Sequence, residues 1–330
     1  MDTIIVTHGD LDGISAASIV YSYLQKKSIK NIRVEISQPF ELYEVLNRII
    51  HDKPKRIYII DISIDEVTWS KTKEILRRLR ENKAKIIWID HHSSTVEKAE
   101  ELAELGITLI FSLDGSAATI TKQIYLPETQ DPEFYKKIAI IGEVGDKVIK
   151  LEPNNPLNQI IETVGSALVA KGGDNELRYK LLRLWTREKQ LLDDDIAQKA
   201  EEAIKQLARL IREAKNKVIY DDEKLMVIDL RGVRVKGYVG KVASHYMQKT
   251  GKTTIVIFQI KPTEIIITCR VPSNVEFNAA KILPEIARKY GGGGGGHPKA
   301  ASIRIPASTE QTIKNIINDI NAQIKTNNNS

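Results

Sequence analysis

Carboxylates and imidazoles fall in three tight groups within the first 92 residues: His8-Gly9-Asp10-Leu11-Asp12-Gly13, then Asp61, then Asp90-His91-His92. These residue types hold divalent cations. His8, Asp10 and Asp12 alternate, so in a tight turn their side chains can point the same way. Two hard carboxylates with an imidazole suit Mn²⁺ best, with Mg²⁺ and Co²⁺ as alternatives. Gly13 would let the backbone bend into a following helix. Asp61 stands alone and can bridge two ions, and Asp90-His91-His92 adds a further ligand set. The only cysteine is the distant Cys269, which disfavours structural zinc. Taken singly, such an Asp is more often a helix N-cap, and a lone His a surface or satisfied core residue. The metal reading rests on coincidence, since three of the six histidines collect here together with four aspartates.

Each group ends an apolar run: Ile4–Thr7, Ile57–Ile60 and Ile86–Ile89. The runs have the length and β-branched content of buried parallel strands. Ligands of an open α/β sheet bind at the carboxyl ends of its strands, so groups far apart in sequence would meet at one edge. Strands at 4–7, 32–36, 56–60, 85–89 and 107–111 alternate with helices at 13–27, 40–50, 64–82, 95–105 and 115–125. That alternation predicts βαβ units and a mainly parallel, doubly wound sheet. Residues 132–172 read as helical, with loops at Glu143–Asp146 and Leu151–Pro156. Residues 176–215 read as one long helical stretch with a break at Asp193-Asp194-Asp195. That triplet is a solvated acidic turn rather than a site, because consecutive side chains splay around a helix.

The chain thus divides into an α/β part over 1–175, a helical connector over 176–216 and a smaller α/β part over 217–330. In the last part, strands are expected at 217–220, 225–230, 253–260 and 264–269, and helices at 240–249, 277–290 and 309–324. Lys261-Pro262-Thr263 reads as a tight hairpin turn, and the tail Asn327–Ser330 as frayed. A glycine run, Gly291–Gly296, leads directly into His297. Consecutive amides without side chains can form an anion-binding nest, to which His297 and Lys299 would add charge. Glycine repeats are usually linkers, but this one sits between a helix and a strand.

Length and composition fit this division. A chain of 330 residues can bury two cores, and 42% hydrophobic with 28% charged residues is ordinary for a soluble protein. No apolar stretch approaches the roughly 18 residues of a membrane span. A strand begins almost at once, leaving no room for a signal peptide. One cysteine permits no internal disulfide, and a reducing, cytoplasmic location is expected. From Arg231 to Ser330 there are 15 Lys/Arg and 5 Asp/Glu, a balance of +10 that leaves −4 for residues 1–230 out of a net +6. An acidic front and a basic back suit a polyanionic substrate. A solvated basic surface is the other reading of the same charge.

The two motif sets, in this order, resemble the DHH/DHHA1 phosphoesterase superfamily, whose triplet stands here as Asp90-His91-His92. The first family motif matches His8-Gly9-Asp10-Leu11-Asp12-Gly13, the second Asp61, and the fourth Gly145-Asp146, with Glu143 as the alternative ligand. The DHHA1 hallmark matches Gly291–Gly296 with His297, Pro298 and Lys299. The resemblance implies one metal on His8, Asp10 and Asp61, and a second on Asp12, Asp61, His91 and Asp146. Asp90 would orient the neighbouring ligand, and His92 would face the substrate phosphate. Arg270 would grip phosphate with Gly294, Gly295, Gly296, His297 and Lys299, although Val271 stands where many relatives have Ser. The implied activity is Mn²⁺-dependent, two-metal hydrolysis of single-stranded DNA, RNA or short oligonucleotides, as in RecJ-like exonucleases and NrnA-like nanoRNases. Cyclic dinucleotides or 3′-phosphoadenosine phosphate are alternative substrates. A RecJ-like scaffold bound to a helicase or other replication partner is the alternative from another class, and a homodimer is a further expectation. Aromatic residues are only 6% of the chain, and Tyr238, Tyr246, Phe277 and Tyr290, which could stack bases, fit a core or surface role better.

Overall fold

The computed structural model describes residues 3–170, 175–235, 237–307 and 309–327. The last three residues of the expected frayed tail, Asn328–Ser330, lie outside the described residues. The chain forms two units, Met1–Glu201 and Glu202–Ser330.

In the first unit, five strands alternate with helices: β1 (Thr3–Thr7), α1 (Leu11–Lys26), β2 (Ile32–Ile36), α2 (Leu42–Ile49), β3 (Arg56–Ile60), α3 (Trp69–Glu81), β4 (Lys85–Asp90), α4 (Ser93–Val96), α5 (Ala99–Glu104), β5 (Thr108–Phe111) and α6 (Ala117–Tyr125). All the strand pairs are parallel, in the order β2-β1-β3-β4-β5. The central strands β1, β3 and β4 are largely apolar on both sides because both faces are covered. Ile5, Tyr58, Ile60 and Ile89 pack into one core, and Ile4, Val6, Ile57, Ile59 and Trp88 into the other. From β1 the chain crosses to β2 on one side, while β3 lies on the other. The carboxyl ends of β1 and β3 therefore flank the switch point where such sheets bind ligands.

Most expected boundaries hold within a few residues, and the departures have local causes. The helix expected from 64 starts only at Trp69, because Asp65 Oδ1 accepts from Thr68 N and Oγ1, both at 3.0 Å, and closes a turn first. Glu143 lies inside α7 (Pro132–Gly145), not in a loop, and Asp146 is that helix's C-cap. After α8 (Leu157–Ala170), the expected long helix is interrupted: α9 (Glu176–Arg183) runs into a π-turn over Leu184–Glu188, and α10 (Asp194–Ala214) follows. Leu177, Leu181, Leu184 and Trp185 bury in the same core as α1, so the first half of the expected connector is part of the first unit. Asp193 and Asp195 pair with Lys180 at 2.7 and 2.6 Å, and Asp193 Oδ1 accepts from Ile196 N. The acidic triplet is an ion-paired helix start.

In the second unit, β6 (Val218–Asp221), β7 (Leu225–Asp229), α11 (Val239–Thr250), β8 (Thr253–Lys261), β9 (Glu264–Arg270), α12 (Ala279–Lys289), β10 (Gly293–His297), β11 (Ala300–Pro306) and α13 (Glu310–Asn327) follow one another. The six-stranded sheet runs β10-β11-β9-β8-β7-β6, antiparallel except for the β7–β8 pair that α11 connects. Lys261 pairs with Glu264 across the expected hairpin turn. Ile255, Ile267, Ile303, Leu283 and Ile316 share one core. The glycine run ends as an extended edge strand rather than the expected nest. A Cβ at Gly294 would overlap Ser302 O of β11, so the close approach of the two backbones explains that glycine. Among the described residues, no helix is long and apolar enough to cross a membrane.

Candidate metal centre

The three groups meet at the carboxyl edge of the first sheet. His8 follows β1, and its Nδ1 lies 2.9 Å from Asp10 Oδ2 and 3.7 Å from Asp61 Oδ2. Asp10 caps α1, accepting from Gly13 N at 3.0 Å. Gly13 itself is the third residue of α1. A Cβ there would stand 2.6 Å from His8 O, so close approach, more than a bend, requires the glycine. Asp61 follows β3 in the left-handed region (φ 56°), which an Asp adopts more readily than most residues. Its Oδ1 lies 3.2 Å from His91 Nε2. His91 also approaches Asp12 Oδ2 at 3.8 Å and Asp146 Oδ2 at 3.7 Å. Asp12 is buried and fixed from outside the motif: its Oδ2 and Oδ1 accept from Ala117 N and Ala118 N, at 2.8 and 2.9 Å, at the start of α6. A negative charge at a helix N-terminus is well placed.

The electrostatics are those of anions crowded in a poorly solvated site. Burial, with the charges of Asp61 and Asp10 added, pushes Asp12 well above the usual carboxylate range. Burial likewise raises Asp146, to about 6. Burial works against a charged His91, but the Asp61 hydrogen bond and the charges of Asp61, Asp12 and Asp146 overcome it and raise the imidazole to about 10. His8 is raised too: burial opposes its charge, and the charge of Asp10 leads the opposing effects. Asp10 is held low, because His8 outweighs its burial. Protons therefore occupy a place that a cation would suit better.

The residues fit such an ion. His8, Asp10 and Asp61 bring one ligand atom each within 4.8 Å of one another, and so do Asp12, His91 and Asp146. Asp61 is 3% exposed, yet its Oδ2 has no hydrogen-bond partner among the described residues. A buried carboxylate oxygen without a hydrogen bond is costly unless something positive completes it. The donors are hard oxygens and imidazoles without thiolate, the set that suits Mn²⁺ or Mg²⁺. Glu143, the alternative fourth ligand, is used elsewhere: its Oε1 accepts from Thr119 Oγ1 at 3.0 Å and pairs with Lys122. Asp146 is the residue that approaches His91.

A model of the DHH family N-terminal domain matches residues 2–145, and a model of the DHHA1 domain matches residues 223–326. The chain is a DHH–DHHA1 protein. No curated protein sequence gives a significant match. Among solved structures it is similar to RecJ of Thermus thermophilus in complex with Mn²⁺, with 16% identity and a TM-score of 0.61, over 98% of this chain and 52% of that one. It is also similar to an exonuclease RecJ bound to manganese, with 16% identity and a TM-score of 0.60, over 98% and 90% of the two chains. The pGpG-specific phosphodiesterase PggH of Vibrio cholerae aligns at 16% identity and a TM-score of 0.55, over 98% and 100%. At these identities the likeness is one of fold. The chain spans about half the length of the Thermus RecJ.

Within the DHH triplet the roles separate. Asp90 Oδ1 lies 2.8 Å from His92 Nδ1, and its Oδ2 accepts from Thr95 Oγ1 at 2.5 Å. Asp90 thus engages the neighbouring His92 directly. In the DHHA1 unit, Arg270, Ala300 and His297 stand in one row across β9, β11 and β10. Arg270 Nη1 donates to Cys269 O at 2.9 Å, and no carboxylate pairs with it among the described residues. Lys299 Nζ donates to Val275 O, which ties this lysine to its own unit. Tyr238, Tyr246 and Phe277 are buried, so these three candidate stackers are core residues, and Tyr290 Oη donates to Asp319 at 3.3 Å. Three contacts carry no sequence signal. Arg178 Nε of α9 donates to Gly9 O at 2.6 Å, Gln38 Oε1 lies 3.3 Å from His8 Nε2, and Thr95 supports Asp90.

Proposed function

We propose that this protein is a Mn²⁺-dependent phosphodiesterase that hydrolyses single-stranded nucleic acid or short oligonucleotides, with His8, Asp10 and Asp61 holding one ion and Asp12, Asp61, His91 and Asp146 the other. The observation that carries this reading is the division of the Asp61 carboxylate. Its Oδ1 faces His91 and its Oδ2 faces His8, so one buried side chain serves both ligand groups. Bound there, a pair of divalent cations supplies an acidified water and neutralises charge on the phosphoryl oxygens. The chain's own residues do the rest. Asp90 engages His92 Nδ1 and so fixes the orientation of the ring. Burial disfavours the imidazolium, while the Asp90 charge and hydrogen bond raise His92 above its ordinary value, which suits a hydrogen-bond donor to a phosphoryl oxygen. Arg270 and His297 of the DHHA1 unit, in one row of its sheet, grip substrate phosphates. The balance of +10 from Arg231 onward supports a polyanionic substrate.

Two similar structures support the substrate class: one is an exonuclease bound to manganese and the other a pGpG-specific phosphodiesterase. The second favours short substrates within this reading. The test is a Mn²⁺ digestion panel of labelled single strands, duplexes, dinucleotides, cyclic dinucleotides and 3′-phosphoadenosine phosphate, with wild type and Asp61→Asn. Single strands or dinucleotides are cleaved by wild type, and Asp61→Asn loses more than about a hundredfold, beyond the usual cost of changing a group behind the ligands. Near-normal turnover in Asp61→Asn with an intact fold rules the scheme out. A protein that binds no metal and cleaves nothing is instead the scaffold.

A further inference from the structure

The rim of the metal centre carries two apolar side chains that metal and phosphate chemistry does not use. β5 is the edge strand of the first sheet, and its last residue, Phe111, pairs in register with Asp90. Neighbouring strands stand about 5 Å apart, and partners in register point to the same face. Phe111 therefore stands beside Asp90, the first residue of the DHH triplet. The segment that follows ends at Ser116, the N-cap of α6, where Ala117 N and Ala118 N hold Asp12. Residues 111–115 thus connect the strand beside Asp90 to the helix start that holds Asp12. On this short path Phe111 is 49% exposed and Leu113 60% exposed.

Scattered exposed apolar residues are normal, so exposure alone decides nothing. Position does. Among the described residues, Phe111 and Tyr179 are the aromatics that stand among the exposed large hydrophobics, and of these Phe111 is the one paired in register with Asp90 of the DHH triplet. Tyr179 lies on α9, facing Ile32, Val34 and Tyr21 across a cavity of about 480 Å³. Tyr238, Tyr246 and Phe277 of the DHHA1 unit are in its core. A substrate whose phosphate is held at the centre has a base within a few ångströms of that phosphate. An open phenyl ring at the rim is the chemical complement of such a base, because every base has a π-face.

We propose that Phe111, with Leu113 beside it, is a stacking platform for the nucleobase next to the scissile phosphate, so that the enzyme selects base-bearing diesters over the phosphodiester alone. This deepens the proposed function and rests on it. The contact is sequence-tolerant, as stacking is.

The test uses the Mn²⁺-loaded full chain, a dinucleotide, and the same dinucleotide made abasic next to the scissile phosphate. Wild type has the lower KM for the base-bearing form. Phe111→Ala raises that KM by about tenfold or more, the range of one lost base stack, and leaves kcat and KM for the abasic form unchanged. Phe111→Tyr restores the preference. In Phe111→Trp, adding the dinucleotide quenches fluorescence beyond the wild-type change, and the abasic form does not. An unchanged KM ratio in Phe111→Ala overturns the platform while leaving the phosphodiesterase intact. Wild type that cleaves neither compound overturns the phosphodiesterase reading itself, and the platform with it.

Discussion

Arg178 marks where residue-level reading of the sequence stops. Its guanidinium is buried against Gly9, between two residues that bear ligand atoms, and holds the carbonyl of that glycine at 2.6 Å. It lies 169 positions away on a helix rich in charges, so nothing in pattern or spacing separates it from its surface neighbours. A group that fixes ligands from behind typically controls metal affinity by about 10- to 100-fold. Arg178→Met should therefore weaken Mn²⁺ binding by that factor, measured by paramagnetic resonance of free Mn²⁺, with a smaller loss for Arg178→Lys. Equal affinity in both variants and wild type would show that Arg178 serves packing alone. His8, Asp10, Asp12, Asp61 and Asp90-His91-His92 are legible in the sequence because three such groups end three apolar runs, a coincidence that no single residue's ordinary role accounts for. The choice of Asp146 over Glu143 is not. Both stand near the end of α7, and only the helix's rotation sends one to His91 and the other to Lys122.

At the scale of elements, each proposed ligand is also a piece of architecture, and the costs of losing two of them differ. Asp12 joins the start of α6 to the start of α1 through two buried hydrogen bonds. Removing one partner of a buried pair leaves the other unsatisfied, at about 1–3 kcal/mol each. Asp12→Ala should therefore destabilise even the metal-free protein by about 2 kcal/mol or more. Asp61→Asn should cost less, because Asp61 Oδ2 has no hydrogen bond to lose and Asn accepts the left-handed backbone at this position. Denaturant unfolding with chelator present compares the two, and an equal loss would refute the distinction. The strands of the first sheet are legible because their runs are short and rich in β-branched residues, which separates them from buried helix segments. The glycine run is not, because a string without side chains carries no periodicity. Its pairing with Ala300–Arg304 depends on a partner strand, not on the run itself.

For the molecule as a whole, the crowded ligands set how stability responds to pH, and the sign reverses when a cation is bound. The folded state raises Asp146 to about 6, so it holds a proton more tightly than the unfolded chain does. That contribution is complete below the ordinary carboxylate range and is lost as pH rises through about 6. His91, raised to about 10, follows the same rule in a higher window: its contribution is present below the ordinary histidine value and is lost as pH climbs toward 10. Metal-free protein should therefore lose stability steadily as pH rises from 6 to 9. Cation binding requires His91 neutral and the carboxylates ionised, so Mn²⁺ must displace these protons and bind better as pH rises. The melting temperature of chelated protein should fall over this range while the gain from a fixed Mn²⁺ concentration grows. Calorimetry in buffers of different ionisation enthalpy should report proton release on binding near pH 7. A Mn²⁺-induced gain that stays constant from pH 6 to 9, with no proton release, would mean that the ion binds away from His91 and Asp146. The two-ion assignment at Asp61 would then lose one of its ligand groups.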